Sequence, residues 1–252
     1  MAVVAAVTPT FPAPLYARRA LWILAIFFFV QVVTGALVGL LIGIYSTAYG
    51  VGAARTAWSV GVVPAAIAGV VLGGLFAFRT SKRTFRHSPH DLYQTIGWSR
   101  ASRFQILSSA LVGIALSGIY LFVAFRVFPP KLQHSWSPFG DAVVNGGWPR
   151  HGWALLALVL APVVEEFLFR GIVFAGLARS WPVPFAGLVT TIVFVLGHGF
   201  SLHPYWPAIL AITSFAVAAL RARIVTKSLA PCISMHVAYN LGMVVAVYAG
   251  SP

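Results

Sequence analysis

Seven apolar stretches, each close to the roughly 20 residues that a helix needs to cross a bilayer, succeed one another along this chain. They cover about 20–45, 57–78, 104–125, 152–178, 182–198, 205–220 and 228–249. Inside lipid a backbone must satisfy its own hydrogen bonds, and runs of this length do so as helices. The expected fold is all-α, a polytopic transmembrane helical bundle of about seven spans, with the fifth and sixth short. Trp22, Trp58, Trp98, Trp153, Trp181 and Trp206 fall at or just before the start of a predicted span, where an amphipathic indole meets the headgroups.

Charge sets the direction of the spans. Only 8% of the residues are charged, against about a quarter in soluble domains. Seventeen Lys and Arg face four acids, for a formal charge of +13. In a chain this apolar, that excess reads as basic cytoplasmic loops, and no nucleic-acid partner is expected. Loops are numbered alternately from a cytoplasmic N-terminus. One side then holds Arg18, Arg19, Arg79, Lys82, Arg83, Arg86, Arg100, Arg103, Arg179, Arg221, Arg223 and Lys227. The other holds Arg55, Arg126, Lys131 and Arg150, and Arg170 lies within a span. The expectation is a multi-pass protein of the cell membrane, N-terminus inside and C-terminus outside. Residues 1–19 form a cytoplasmic tail, and the apolar stretch after Arg18-Arg19 is too long for a signal h-region, so it reads as a retained first span.

Residues 20–150, with three spans and a basic loop, show no chemistry. Gly35, Gly39 and Gly43, and again Gly69 and Gly73, recur every four residues. Such stripes let helices approach closely, within the bundle on the first reading and in a homodimer on the second. The basic loop from Arg79 to Arg103 reads as the positive-inside signal, with anionic-lipid binding as the sharper alternative. The single cysteine, Cys232, allows no intrachain disulfide or zinc ribbon and reads as a small buried hydrophobe.

The acids mark the second half. Asp91 and Asp141 lie in predicted loops, whereas Glu165 and Glu166 sit in the middle of the fourth span, in Ala161-Pro-Val-Val-Glu-Glu-Phe-Leu-Phe-Arg-Gly171. A carboxylate at bilayer depth is costly unless paired or hydrated, which makes it a functional candidate. Glu166 and Arg170 are four apart on one helix face, acid first, the favourable order for an ion pair. Glu165 points about 100° away, free to face another helix. A purely structural ion cluster of all three is the alternative. Pro162 can loosen the helix one turn earlier and free backbone groups there.

Other spans carry further polar residues at similar depth. His198 ends the fifth, and His236 and Asn240 share one face of the seventh. Glu165 lies roughly 21 Å of helix from Arg179 and His198 roughly 24 Å from Pro182, so the depths are compatible. Each of these side chains alone is an ordinary interhelical hydrogen-bonding group. An acid, two imidazoles and an amide together are what amide hydrolysis needs: a base for water and donors for the tetrahedral oxygen.

Glu165-Glu166-x-x-x-Arg170, Phe194-x-x-x-His198 and His236-x-x-x-Asn240, three motifs in order and each on its own span, resemble the signature of the CAAX protease and bacteriocin-processing family. That family includes the type II CAAX prenyl endopeptidases and is often called the abortive-infection family. The resemblance covers about 152–249 and makes residues 151–252 a catalytic core of four spans. It implies an active site sunk in the membrane that hydrolyses peptide bonds of membrane-associated substrates. It also implies Glu165 as general base, His198 assisting, His236 and Asn240 as oxyanion hole, and Glu166 with Arg170 holding the site's shape. Family members are widely named metalloproteases, and Glu165, His198 and His236 would then be zinc ligands with water as the fourth. With no His-Glu-x-x-His and no cysteine cluster, a metal-free glutamate mechanism is the preferred expectation. Two other readings compete: a non-catalytic immunity or regulatory protein that binds peptides through the same residues, and a proton-relaying transporter. The transporter would show inverted repeats, which the first half lacks.

Overall fold

The apolar windows become helices, and the helices overrun them. The computed structural model describes residues 15–85, 89–129, 147–202 and 205–249. Among these residues the chain forms α1 (Ala17–Tyr49), α2 (Val51–Thr84), α3 (Pro89–Ile96) and α4 (Arg103–Val127), followed by α5 (Trp148–Ser180), α6 (Val183–Leu202), α7 (Trp206–Thr226) and α8 (Ala230–Ala249). Six are long and apolar enough to cross a membrane, and α6 contributes a shorter apolar segment, Val183–His198. The chain is thus an all-helical, multi-pass membrane protein. The fifth window is short as expected. The sixth is not, because α7 continues to Thr226 through Arg221 and Arg223 and reaches 21 residues.

Helix α5 is the axis of the bundle. Every residue from Glu166 to Leu177 is buried, and α1, α6 and α3 pack around this stretch. α4 and α8 form the closest pair on the far side, and α7 joins them to α6. Their approach depends on Gly113, where a Cβ would run into the Met235 carbonyl, and this brings α8 against the bundle one residue before His236. α4 starts at a reciprocal cap: the Gln105 amide donates to Ser102 Oγ and the Ser102 amide to Gln105 Oε1.

The glycine stripes divide. Gly69 and Gly73 on α2 lie against Gln31 and Phe27 of α1, whereas nothing stands within 4 Å of where a Cβ would be at Gly35, Gly39 and Gly43. Two charged residues also differ from expectation. Asp91 is in the first turn of α3, where a carboxylate complements the helix N-terminus, and not in a loop. Arg223, counted above among cytoplasmic loop charges, is a buried residue of α7. Its Nε donates to the Arg170 carbonyl at 3.2 Å and its Nη2 to the Thr95 carbonyl at 3.0 Å. It ties α7 to the core of α5 and to the end of α3. Arg86, Lys131 and Asp141 lie outside the described residues.

The turn after α3 closes on that guanidinium. Gly97 has φ +76°, and a Cβ there would stand 2.5 Å from Arg223 Cζ. Gly97→Ala therefore combines a left-handed backbone with a clash against an anchored side chain. A loss of more than about 1 kcal/mol is expected, read as a lower melting temperature of the purified protein in detergent.

Candidate active site

Adjacent positions on one helix turn leave Glu165 and Glu166 in different surroundings. Glu166 points inward and is fully buried, and its Oε1 accepts from Arg170 Nη1 at 2.9 Å and from His236 Nδ1 at 2.8 Å. Arg170, itself 1% exposed, also donates from Nη2 to the Ala216 carbonyl at 3.1 Å. Its guanidinium lies 4.3 Å from the Phe194 ring centroid and 5.6 Å from that of Phe215. Burying an ion pair is costly unless hydrogen bonds and stacking offset it. Here two carbonyl or carboxylate acceptors and two aromatic faces do so in part, while Glu166 Oε2 and Arg170 Nε are buried without a hydrogen-bond partner.

Glu165 looks elsewhere. Its Oε2 is buried and has no hydrogen-bond partner in the protein. It faces His198 Nε2 at 3.7 Å and His236 Nε2 at 3.9 Å, beyond direct hydrogen bonding. The other nitrogens of both rings are engaged. His198 Nδ1 lies 2.9 Å from the Phe194 carbonyl, which can only accept, so the proton is on Nδ1. His236 Nδ1 likewise donates to Glu166. A neutral His198 ring then leaves Nε2 with its lone pair, and Nε2 of both rings faces the side of the site where Glu165 Oε2 stands. Side-chain exposures of 17% for Glu165 and 29% for His198, against 5% for His236, place the open side between α5 and α6.

Phe194 and Phe215 wall the site. The Phe194 ring packs 4.6 Å from that of His198 and that of Phe215 4.6 Å from that of His236. Their place in the site was not read from the sequence, although Phe194 stands one helical turn before His198, within bonding reach of its imidazole. Nor does a hydropathy window show the π-helical turns Leu156–Leu160 and Phe167–Val173, which flank the carboxylates within α5. Such turns often mark functional positions because they re-aim side chains within a helix.

Asn240 and His236 do not reach one point on α5. His236 bonds Glu166, whereas Asn240 Nδ2 donates to the Ala157 carbonyl at 2.7 Å, more than two turns away. The π-helical register explains that partner. The Ala161 amide bonds the Leu156 carbonyl five residues back, so the next bond would run from residue 162 to Ala157. Residue 162 is proline and has no N–H to give, and Asn240 supplies the missing donor.

Among the described residues no group of three or more His, Cys, Asp or Glu is arranged to hold a metal ion. Zinc bonds of about 2.0–2.2 Å bring tetrahedral ligand atoms closer together than Glu165 stands to either imidazole. The donor set does not fit, and the metalloprotease reading has no support in the geometry.

A multi-pass helical bundle with a glutamate and two imidazoles meeting at bilayer depth belongs to the class of membrane proteins that carry buried polar sites for chemistry. Residues 147–242 match the family described as type II CAAX prenyl endopeptidase Rce1-like, and they form an Rce1-like domain of that family. No curated protein and no solved structure matches the chain. The domain implies an intramembrane protease of the CAAX type acting on membrane-associated protein substrates. All of the site residues, from Ala157 to Asn240, lie inside the matched segment.

Proposed function

We propose that the protein is an intramembrane endopeptidase in which Glu165 activates water. The observation that carries this reading is the Oε2 atom of Glu165, without a hydrogen-bond partner in the protein and flanked by two imidazole nitrogens, in the segment that matches a peptidase family. A water bonded to Glu165 Oε2 donates its second hydrogen to His198 Nε2. Glu165 takes the first proton as the water oxygen attacks the scissile carbonyl, and returns it to the leaving amine as the C–N bond breaks. His236, carrying a proton on Nε2 as well while Glu166 accepts from Nδ1, and the second N–H of Asn240 donate to the carbonyl oxygen as negative charge develops there. Glu166 fixes the His236 ring, and Arg170 fixes Glu166. The chemistry uses only these side chains.

Residues 20–150 serve this core as a scaffold: α1 and α2 pack on α5, and α4 packs on α8. A cytoplasmic N-terminus is supported by the basic residues near the ends of α2 and α7, among them Lys82, Arg83 and Lys227. Comparative proteomics of membrane peptides tests the reading, with cells carrying the natural protein set against cells carrying Glu165→Ala. Uncleaved precursors are expected to accumulate in the variant. Identical peptide inventories, with both proteins present at equal levels in the membrane, overturn the assignment.

A further inference from the structure

Beside the two glutamates on α5, Val163, Val164 and Phe167 form the back of a cavity of about 390 Å³. Gly74 and Phe78 of α2 make one wall, and Tyr93 and Ile96 of α3, with Trp98, close the end nearest the loops. The lining is almost wholly apolar and suits a hydrocarbon chain, not a peptide. At Gly74 the absence of a side chain keeps the cavity open, since a Cβ there would already stand 3.1 Å from the Val164 methyl groups.

The mouth of this cavity carries charge. Gly74, Phe78 and Lys82 are four apart and share one face of α2. The Lys82 ammonium lies 5.7 Å from the Phe78 ring centroid, so its stem runs over the lining and its head emerges at the rim. Arg79 and Arg83 flank it on the exposed side of the helix, and Tyr93 and Trp98 are exposed at the same level. An apolar slot capped by a cation and two amphipathic aromatic side chains matches a phospholipid with a chain below and a negative phosphate above.

We propose that this slot between α2, α3 and α5 is a binding site for an anionic phospholipid, with one acyl chain against Val164 and Phe167 and the headgroup phosphate on Lys82. It is independent of the peptidase reading, because none of its contacts is a residue of the proposed chemistry. It also gives the basic last turns of α2 a ligand beyond their part in setting orientation.

Tryptophan quenching by dibrominated phosphatidylglycerol tests the site, with dibrominated phosphatidylcholine as reference, on the full-length protein in mixed micelles. The Trp98 signal is the difference between the natural protein and Trp98→Phe. Half-quenching of that signal is expected at about fivefold less phosphatidylglycerol than phosphatidylcholine, the preference that one basic side chain near the surface supplies. Lys82→Gln, a change at an exposed position, should make the two lipids equal. Gly74→Leu should weaken quenching by both, since it fills the slot. Equal quenching of the natural protein by the two lipids overturns the proposal, and so does a preference that survives Lys82→Gln.

Discussion

Glu165→Gln is expected to lower cleavage by about 10²–10⁴-fold and leave the melting temperature nearly unchanged, while Glu166→Gln is expected to compromise the fold. The contrast follows from what each carboxylate touches. Glu165 Oε2 has no hydrogen-bond partner within the protein, so an amide in its place breaks no hydrogen bond there; it removes the base. Glu166 holds Arg170 and His236 at once and is fully buried. Neutralising it leaves a guanidinium charge at membrane depth with only the Ala216 carbonyl and two aromatic faces for compensation. Breaking a buried pair from one side costs about 3–5 kcal/mol, whereas replacing both partners by neutral groups is often harmless. The double variant Glu166→Gln/Arg170→Met should therefore regain much of the stability lost in Glu166→Gln. Melting curves in detergent, with cleavage measured on a substrate found by proteomics, separate the two effects. A Glu165→Gln enzyme that still cleaves, or a Glu166→Gln protein as stable as the natural one, would contradict this division of labour.

The helices were legible because hydropathy and length are one-dimensional properties, and every window lies on a helix. The ion pair was legible for a similar reason: Glu166 and Arg170 are neighbours on one helix face, so their spacing defines a contact, and that contact is formed. Side chains that meet from different helices were harder. His236 and Asn240 share a face of α8, yet hydrogen bond at separate heights on α5, because what α8 meets depends on the tilt and depth of its neighbour. Arg223 was counted as a loop charge because a basic residue near the end of a hydropathy window looks the same whether it faces water or inserts between helices. Only the packing of the Gly97 turn on its guanidinium distinguishes the two. Pro162 did carry a readable signal. A proline within a span frees a carbonyl, and some other donor must be found for it, but the π-helical register decides which carbonyl that is.

That freed carbonyl leads to the second large effect. Asn240→Ala should destabilise the protein by ~1–2 kcal/mol, because the Ala157 carbonyl then loses the donor that stands in for the missing N–H of Pro162. The same loss should be small in a Pro162→Ala background. Alanine at 162 restores a backbone N–H, which can bond Ala157 in the π-helical register or return this part of α5 to ordinary α-helical bonding. The coupling between Asn240 and Pro162 in a double-mutant cycle of melting free energies is thus expected to be close to the whole effect of Asn240→Ala. Activity separates from stability in the same four proteins. If the second N–H of Asn240 stabilises the developing oxyanion, Asn240→Ala/Pro162→Ala regains its melting temperature while cleavage stays about 10²–10³-fold down, the usual loss for one such donor. Full recovery of cleavage in the double variant would confine Asn240 to holding the helix, and the oxyanion would then rest on His236 alone.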